Sequence, residues 1–133
     1  MAKRLRVLLV EDNERDGVLL RRELQSLPYE LQLEQVHTRS ALRDAFGRDW
    51  DIVVADYHLS DFTAIDALRM LADTGRDLPF LVLTDTASEE EAVEAMRVGA
   101  RDCLRKGRLN RLCPAIEREL AAVEQRRARR RGA

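Results

Sequence analysis

The sequence predicts an α/β fold in which helices cover both faces of an open parallel sheet of five strands. Short apolar runs alternate with amphipathic helical segments five times along the chain, and the connections between them are short. Residues 52–55 (IVVA) are apolar and mostly β-branched, as buried parallel strands are. The predicted architecture is therefore doubly wound.

The first unit is a strand, a loop and a helix. Residues 5–10 (LRVLLV) are apolar and suited to a strand, and the following EDNERD contains residues that favour the start of a helix. Pro28 is expected to end that helix. Its predicted apolar face is formed by Leu20, Leu24 and Leu27.

The second and third units repeat this order. A more polar strand is predicted over 31–36, and Thr38 or Ser40 can cap a helix over about 40–48. Residues 52–56 (IVVAD) form the third predicted strand, and a long loop separates it from the next helix. The apolar positions of that helix are Ile65, Leu68 and Leu71.

The last two units complete the alternation. Residues 80–84 (FLVLT) are the fourth predicted strand, and Ser88 with Glu91 fits a capping box for a helix that Gly99 ends. Residues 103–104 mark a short fifth strand. The last helix is predicted from about residue 111, with an apolar stripe at helical spacing formed by Leu112, Ile116, Leu120 and Val123.

Composition and charge exclude several classes of protein. The 133 residues, 45% hydrophobic and 35% charged, suit one packed domain, predicted over 1–125 with a basic tail over 126–133. A net charge of -1 gives no overall electrostatic basis for binding nucleic acid, and no apolar run approaches the roughly 18 residues of a membrane span. Cys103 and Cys113 lack metal-binding or redox spacing, so we expect reduced thiols in a cytoplasmic protein.

Polar residues follow four of the predicted strands. Glu11 and Asp12 follow the first, Asp56 ends the third, Thr84 ends the fourth and Lys106 follows the fifth. Ligands of doubly wound sheets bind at the carboxyl ends of the strands, where these side chains should converge. Three neighbouring carboxylates repel one another and favour a hard divalent cation, and Mg²⁺ binds such oxygens together with phosphate. The pattern predicts a Mg²⁺ site for phosphate chemistry.

This ordered set resembles the receiver domain of two-component response regulators, over nearly the whole chain. The resemblance implies a single-domain, flavodoxin-like fold with strand order 2-1-3-4-5. It also implies that Asp56 accepts a phosphoryl group from the phosphohistidine of a histidine kinase or histidine phosphotransfer protein. Thr84 would donate a hydrogen bond to that group, and Lys106 would neutralise its charge.

The resemblance also implies a metal site and an output surface. Asp12 and Asp56 would bind Mg²⁺ directly, Glu11 through a water molecule, and His58 through its backbone carbonyl. Phosphorylation would change the face formed by the fourth helix, fifth strand and fifth helix, which binds a downstream protein. The only reaction catalysed would be the protein's own phosphorylation and dephosphorylation. The last helix would also offer a homodimer or kinase contact, whereas nucleic acid is not an expected partner.

Three positions depart from the family pattern. Receivers usually have Tyr or Phe where this chain has Cys103, a proline with a cis bond where it has Gly107, and a small residue where it has Asp85. We expect a trans bond before Gly107. Asp85 places a further carboxylate near the predicted phosphoryl site.

Two alternative functions are considered. Cys103 and Asp85 favour a phosphorylation-independent interaction module, which the intact acidic set opposes. A metal-dependent phosphohydrolase with an aspartyl nucleophile usually has a second acid two residues after the nucleophile, where this chain has His58. Metal-dependent phosphoryl uptake would distinguish a receiver from the interaction module, and turnover of a phosphate ester would indicate the hydrolase.

Overall fold

A parallel sheet forms the centre of the protein, and its most apolar strands lie inside it. In the computed structural model, which describes residues 3–85 and 88–132, the strand order is β2-β1-β3-β4-β5. The strands are β1 Lys3–Val10, β2 Tyr29–Val36, β3 Ile52–Asp56, β4 Phe80–Thr84 and β5 Asp102–Arg105. Every residue of β3 and β4 is buried, as strands covered on both faces require. The predicted order is confirmed.

Helices cover both faces of this sheet. They are α1 Glu14–Leu24, α2 Arg39–Ala45, α3 Ala64–Thr74, α4 Glu89–Val98 and α5 Leu112–Gly132, and a 3₁₀ helix, Lys106–Arg111, precedes α5. Side chains such as Leu8 and Val53 pack with α2, α3 and α4 on one face. Their sequence neighbours, such as Val7 and Ile52, pack with α1 and α5 on the other. The predicted doubly wound α/β fold is confirmed.

Local hydrogen bonds set the helix ends. Thr38 and Ser88 are the N-caps of α2 and α4, and their side chains accept from the N–H groups of Ala41 and Glu91. Helix α1 ends at Leu24, earlier than Pro28 alone would require. The hydroxyl of Ser26 donates to the carbonyl of Glu23 at 2.8 Å and closes the last turn. Leu27 is buried as predicted, but it lies outside the helix.

The basic residues predicted as a C-terminal tail continue α5 as far as Gly132. Arg126 donates two hydrogen bonds of 2.9 Å to the two carboxylate oxygens of Asp77, in the loop between α3 and β4. The helix end is therefore held against the body of the domain. None of the helices in the described ranges combines the length and apolar composition needed to cross a membrane.

Candidate functional site

The carboxyl ends of β1 and β3 bring three acidic residues together. Glu11 and Asp12 follow β1, and Asp56 is the last residue of β3, the neighbouring strand. One carboxylate oxygen of each residue lies within 4.8 Å of the corresponding oxygens of the other two. Glu11 is fully buried and Asp56 nearly so. Three negative charges this close in a buried place are costly unless a cation accompanies them.

Lys106 places an ammonium group among these carboxylates. Its Nζ lies 2.8 Å from Asp56 Oδ2, 2.9 Å from Glu11 Oε1 and 2.7 Å from Asp16 Oδ2. Lys106 follows β5, which β4 separates from β3, so its long side chain reaches across a strand to Asp56. The structure thus joins the predicted lysine to two of the predicted acidic residues, Glu11 and Asp56, and adds Asp16.

The surroundings change the acidities of two groups. Burial raises the pKa of Glu11 to about 7, and the charge of Asp56 adds to this, whereas Lys106 and the N–H of Asn13 oppose it. Burial alone would lower the pKa of Lys106, but its contacts with Asp16, Asp56 and Glu11 together raise it above the usual value. Lys106 therefore remains a cation, and Glu11 readily holds a proton near neutral pH.

The donor set fits a divalent cation. Glu11 Oε1 is buried, and among the described residues it is accompanied by the ammonium group of Lys106, whose Nζ lies 2.9 Å away. One ammonium group shared among several carboxylates offsets only part of their charge, so a metal ion or a metal-bound water would stabilise Glu11 further. One carboxylate oxygen each from Glu11, Asp12 and Asp56 forms the hard-oxygen donor set that Mg²⁺ prefers.

The loop after β3 holds two of these carboxylates. Asp12 Oδ2 accepts hydrogen bonds from the N–H of Ser60 at 2.9 Å and from its hydroxyl at 2.6 Å. The N–H of His58 donates to Asp56 Oδ1 at 3.4 Å. The imidazole of His58 turns towards α4, where its Nε2 lies 2.8 Å from Glu91 Oε2. The ring of His58 is therefore engaged by Glu91, and the metal contact of its backbone carbonyl stays a prediction.

Thr84 and Asp85 lie beside the acidic cluster. Asp56 pairs with Leu83 in the sheet, so Thr84 lies on the adjacent strand, at the same carboxyl end of the sheet. The side chain of Thr84 is buried. Asp85 is exposed. Thr84 and Asp85 contribute to a cavity of about 460 Å³ whose other lining residues are Arg105, Gly107 and Arg108. The prediction that Asp85 lies near the phosphoryl site stays a prediction.

Two of the departures from the family pattern have simple structural outcomes. Cys103 is half-buried and packs against the core on the α3 and α4 face. Burial raises the pKa of its thiol, which disfavours the reactive thiolate form. The described residues contain no cis peptide bond, so the bond before Gly107 is trans as expected.

Two residues that contact the site were not predicted from the sequence. Asp16 lies in the first turn of α1, four residues after Asp12, so its position at the sheet edge was a usable signal. Ser60 lies in the long loop after β3, where no sequence pattern distinguishes it from its neighbours. Both residues contact groups that were predicted.

Comparisons with known proteins agree on one family. The sequence model of the response regulator receiver domain matches residues 7–117. Regulatory protein LuxO of Vibrio cholerae is 34% identical over 99 residues, which are 74% of this chain and 21% of that protein. The transcriptional regulatory protein CusR of Escherichia coli is 30% identical, and the chain spans 44% of the length of that relative.

Two solved structures show the same fold. A signal receiver domain from Vibrio parahaemolyticus superposes with a TM-score of 0.84 at 24% identity, covering 94% of this chain and 96% of that one. A response regulator from Burkholderia pseudomallei, solved with a phosphorylated aspartic acid, a calcium ion and citrate, has a TM-score of 0.73 at 28% identity. The superposition covers 93% of this chain and 73% of the Burkholderia pseudomallei chain.

Proposed function

Because the chain belongs to the response regulator receiver domain family, we propose that Asp56 is its phosphoacceptor and that phosphorylation switches a protein-binding surface. One observation carries the proposal. Asp56, buried at the end of β3, is 2.8 Å from the ammonium group of Lys106 and belongs to the cluster of three carboxylates. A nucleophile, a fixed cation and a metal-binding donor set are the parts that phosphoryl transfer needs.

The proposed reaction starts from the phosphohistidine of a histidine kinase or histidine phosphotransfer protein. A carboxylate oxygen of Asp56 attacks the phosphorus, the P–N bond breaks, and its electron pair returns to the imidazole of the donor. Lys106, already hydrogen-bonded to Asp56 Oδ2, neutralises negative charge on the phosphoryl oxygens. The hydroxyl of Thr84 donates a hydrogen bond to one of those oxygens. The protein would catalyse only this reaction and the hydrolysis of its own aspartyl phosphate.

Four residues would hold the metal. Asp12 and Asp56 would bind Mg²⁺ directly, Glu11 would bind through a water molecule, and His58 would use its backbone carbonyl. When bound, Mg²⁺ supplies positive charge that stabilises the phosphoryl oxygens in the transition state. The closeness of one carboxylate oxygen from each of Glu11, Asp12 and Asp56 supports this assignment.

The proposed output is a changed contact surface. Movement of Thr84 towards the phosphoryl group would shift the loop after β4 and the face formed by α4, β5 and α5. A downstream protein would bind this face, and α5 offers a homodimer contact. Cys103, in place of the usual aromatic residue, favours a second candidate, an interaction module that works without phosphorylation.

Intact-mass spectrometry after incubation with Mg²⁺ and acetyl phosphate tests the phosphoacceptor. We expect one added phosphoryl group, lost with EDTA or with Asp56→Asn. Asp61→Asn removes an exposed carboxylate from the same loop and is expected to label like the native chain. If acetyl phosphate, a histidine-phosphorylated donor and beryllofluoride all fail to modify the native chain, the phosphorylation-independent module becomes the better proposal.

A further inference from the structure

Asp16 contacts Lys106 as closely as the proposed phosphoacceptor does. Asp16 Oδ2 lies 2.7 Å from Lys106 Nζ and accepts a hydrogen bond from it. We propose that Asp16 is a positioning residue of the acceptor site, which strengthens the binding of a divalent cation and competes with the phosphoryl group for Lys106. This inference rests on the proposed function.

Helix α1 fixes the place of Asp16. The side chain of Asn13, the N-cap, accepts a hydrogen bond from the N–H of Asp16 at 3.0 Å. A carboxylate in this first turn is also stabilised by the positive end of the helix dipole. The side chain of Asp16 is 33% exposed and that of Lys106 only 16%, so Asp16 lies at the mouth of the site and Lys106 inside it.

The backbone around Lys106 leaves the lysine dependent on side-chain contacts. Lys106 opens the 3₁₀ helix, Gly107 follows it, and Arg108 has non-helical dihedral angles. A glycine next to the lysine adds conformational freedom rather than a constraint. Within residues 3–85 and 88–132, the ion pairs of Lys106 are those with Glu11, Asp16 and Asp56. Asp16 is the member of this set that belongs to neither the proposed metal ligands nor the acceptor.

Asp16 also changes the charge of the site. When Glu11 is ionised, Asp16 brings the carboxylates of the site to four, and with the ammonium group of Lys106 the formal charge is -3, whereas without Asp16 it is -2. More negative charge attracts a divalent cation more strongly and repels an anionic phosphoryl group more strongly. A phosphoryl group on Asp56 would also compete with Asp16 for the ammonium group of Lys106. Asp16 therefore strengthens the binding of a divalent cation and weakens the binding of a phosphoryl group.

Two titrations of the full chain test this inference. Isothermal calorimetry with MgCl₂ measures cation affinity, and titration with beryllofluoride at saturating Mg²⁺ measures affinity for a phosphoryl analogue. We expect Asp16→Asn to weaken Mg²⁺ binding by about three- to tenfold and to tighten beryllofluoride binding by a similar factor. Glu14→Gln removes an exposed carboxylate from the same helical turn and is expected to leave both affinities within about twofold.

The possible outcomes are distinct. Asp16→Glu keeps the charge and is expected to restore most of the native Mg²⁺ affinity. Weakening of both affinities in Asp16→Asn would indicate a purely structural role and overturn the inference, as would two unchanged affinities. If the native chain binds neither Mg²⁺ nor beryllofluoride, the proposed function fails together with the inference. If the native chain binds Mg²⁺ and beryllofluoride but Asp16→Asn does not shift the two affinities in opposite directions, the role of Asp16 is overturned and the proposed function stands.

Discussion

Glu11 shows how one residue can couple this site to pH. It is fully buried, and burial raises its pKa to about 7 from the ordinary carboxyl value of 4.5. In the metal-free protein below pH 7, the carboxyl group therefore mostly carries a proton. A cation that uses this group, directly or through water, has to displace that proton.

We therefore predict that the affinity for Mg²⁺ rises with pH up to about 7 and then levels off. The rise should reach up to about tenfold per pH unit, because one proton is released for each cation bound. Calorimetry with MgCl₂ from about pH 5.5 to 8.5 measures the profile. Glu11→Gln has no proton to lose and should flatten it. A native affinity that does not change across this range would contradict the prediction.

At the scale of single residues, the sequence predicted the groups that end strands and missed the side chains that reach them from elsewhere. Asp56 and Lys106 are found because each follows an apolar run, and the sheet then determines where both lie. Asp16 contacts Lys106 across 90 positions of sequence, and this contact depends on the path of a long side chain. Ser60 reaches Asp12 from a loop whose course no periodicity determines.

At the scale of elements, predictability followed the strength of the local pattern. The ranges 52–56 and 80–84 match β3 and β4, because each is a continuous apolar run bounded by polar residues or proline. The ends of α1 and α2 fall earlier than predicted, since turn hydrogen bonds such as that of Ser26 decide them. Beyond residue 125, α5 contacts Asp77, which is 49 residues from Arg126 in sequence.

The contact between Asp77 and Arg126 should stabilise the end of α5. Two charge-assisted hydrogen bonds hold this end, and the side chains of Asp77 and Arg126 are each less than one quarter exposed. The guanidinium group of Arg126 lowers the pKa of Asp77. We predict that Asp77→Asn lowers the free energy of unfolding by about 1 kcal/mol and speeds amide hydrogen exchange over residues 126–132. Asp73→Asn, at an exposed position of α3, is the matched control.

The pH dependence of this effect has a definite sign. Because the pKa of Asp77 is lower in the folded than in the unfolded chain, its contribution is present above the unfolded carboxyl pKa. It is lost as the pH falls through the folded pKa of Asp77. The native chain and Asp77→Asn should therefore converge in stability in acid. Equal stabilities at pH 7, with equal exchange at the end of α5, would show that the ion pair contributes nothing.

At the scale of the whole molecule, the site lies on one edge of the sheet and touches elements on both of its faces. Lys106 joins the acidic cluster to α1 through Asp16, on the face that α1 and α5 cover. His58 joins the loop after Asp56 to α4 through Glu91, on the opposite face. Helix α4 also exposes apolar side chains, with Val93 65% exposed and Met96 45% exposed. His58 thus provides a contact between the loop after Asp56 and the helix that carries these exposed apolar side chains.

We predict that beryllofluoride with Mg²⁺ changes amide hydrogen exchange in α4 and β5 and leaves the last turns of α5 at their native rates. Helix α4 is linked to the site through His58 and Glu91, whereas Asp77 holds the end of α5 at a distance from it. Exchange measured by mass spectrometry compares the native chain with Asp56→Asn under the same reagents, and the variant should show no change. An effect confined to the loop after β3, with α4 and β5 unaltered, would mean that the acceptor site does not control this surface.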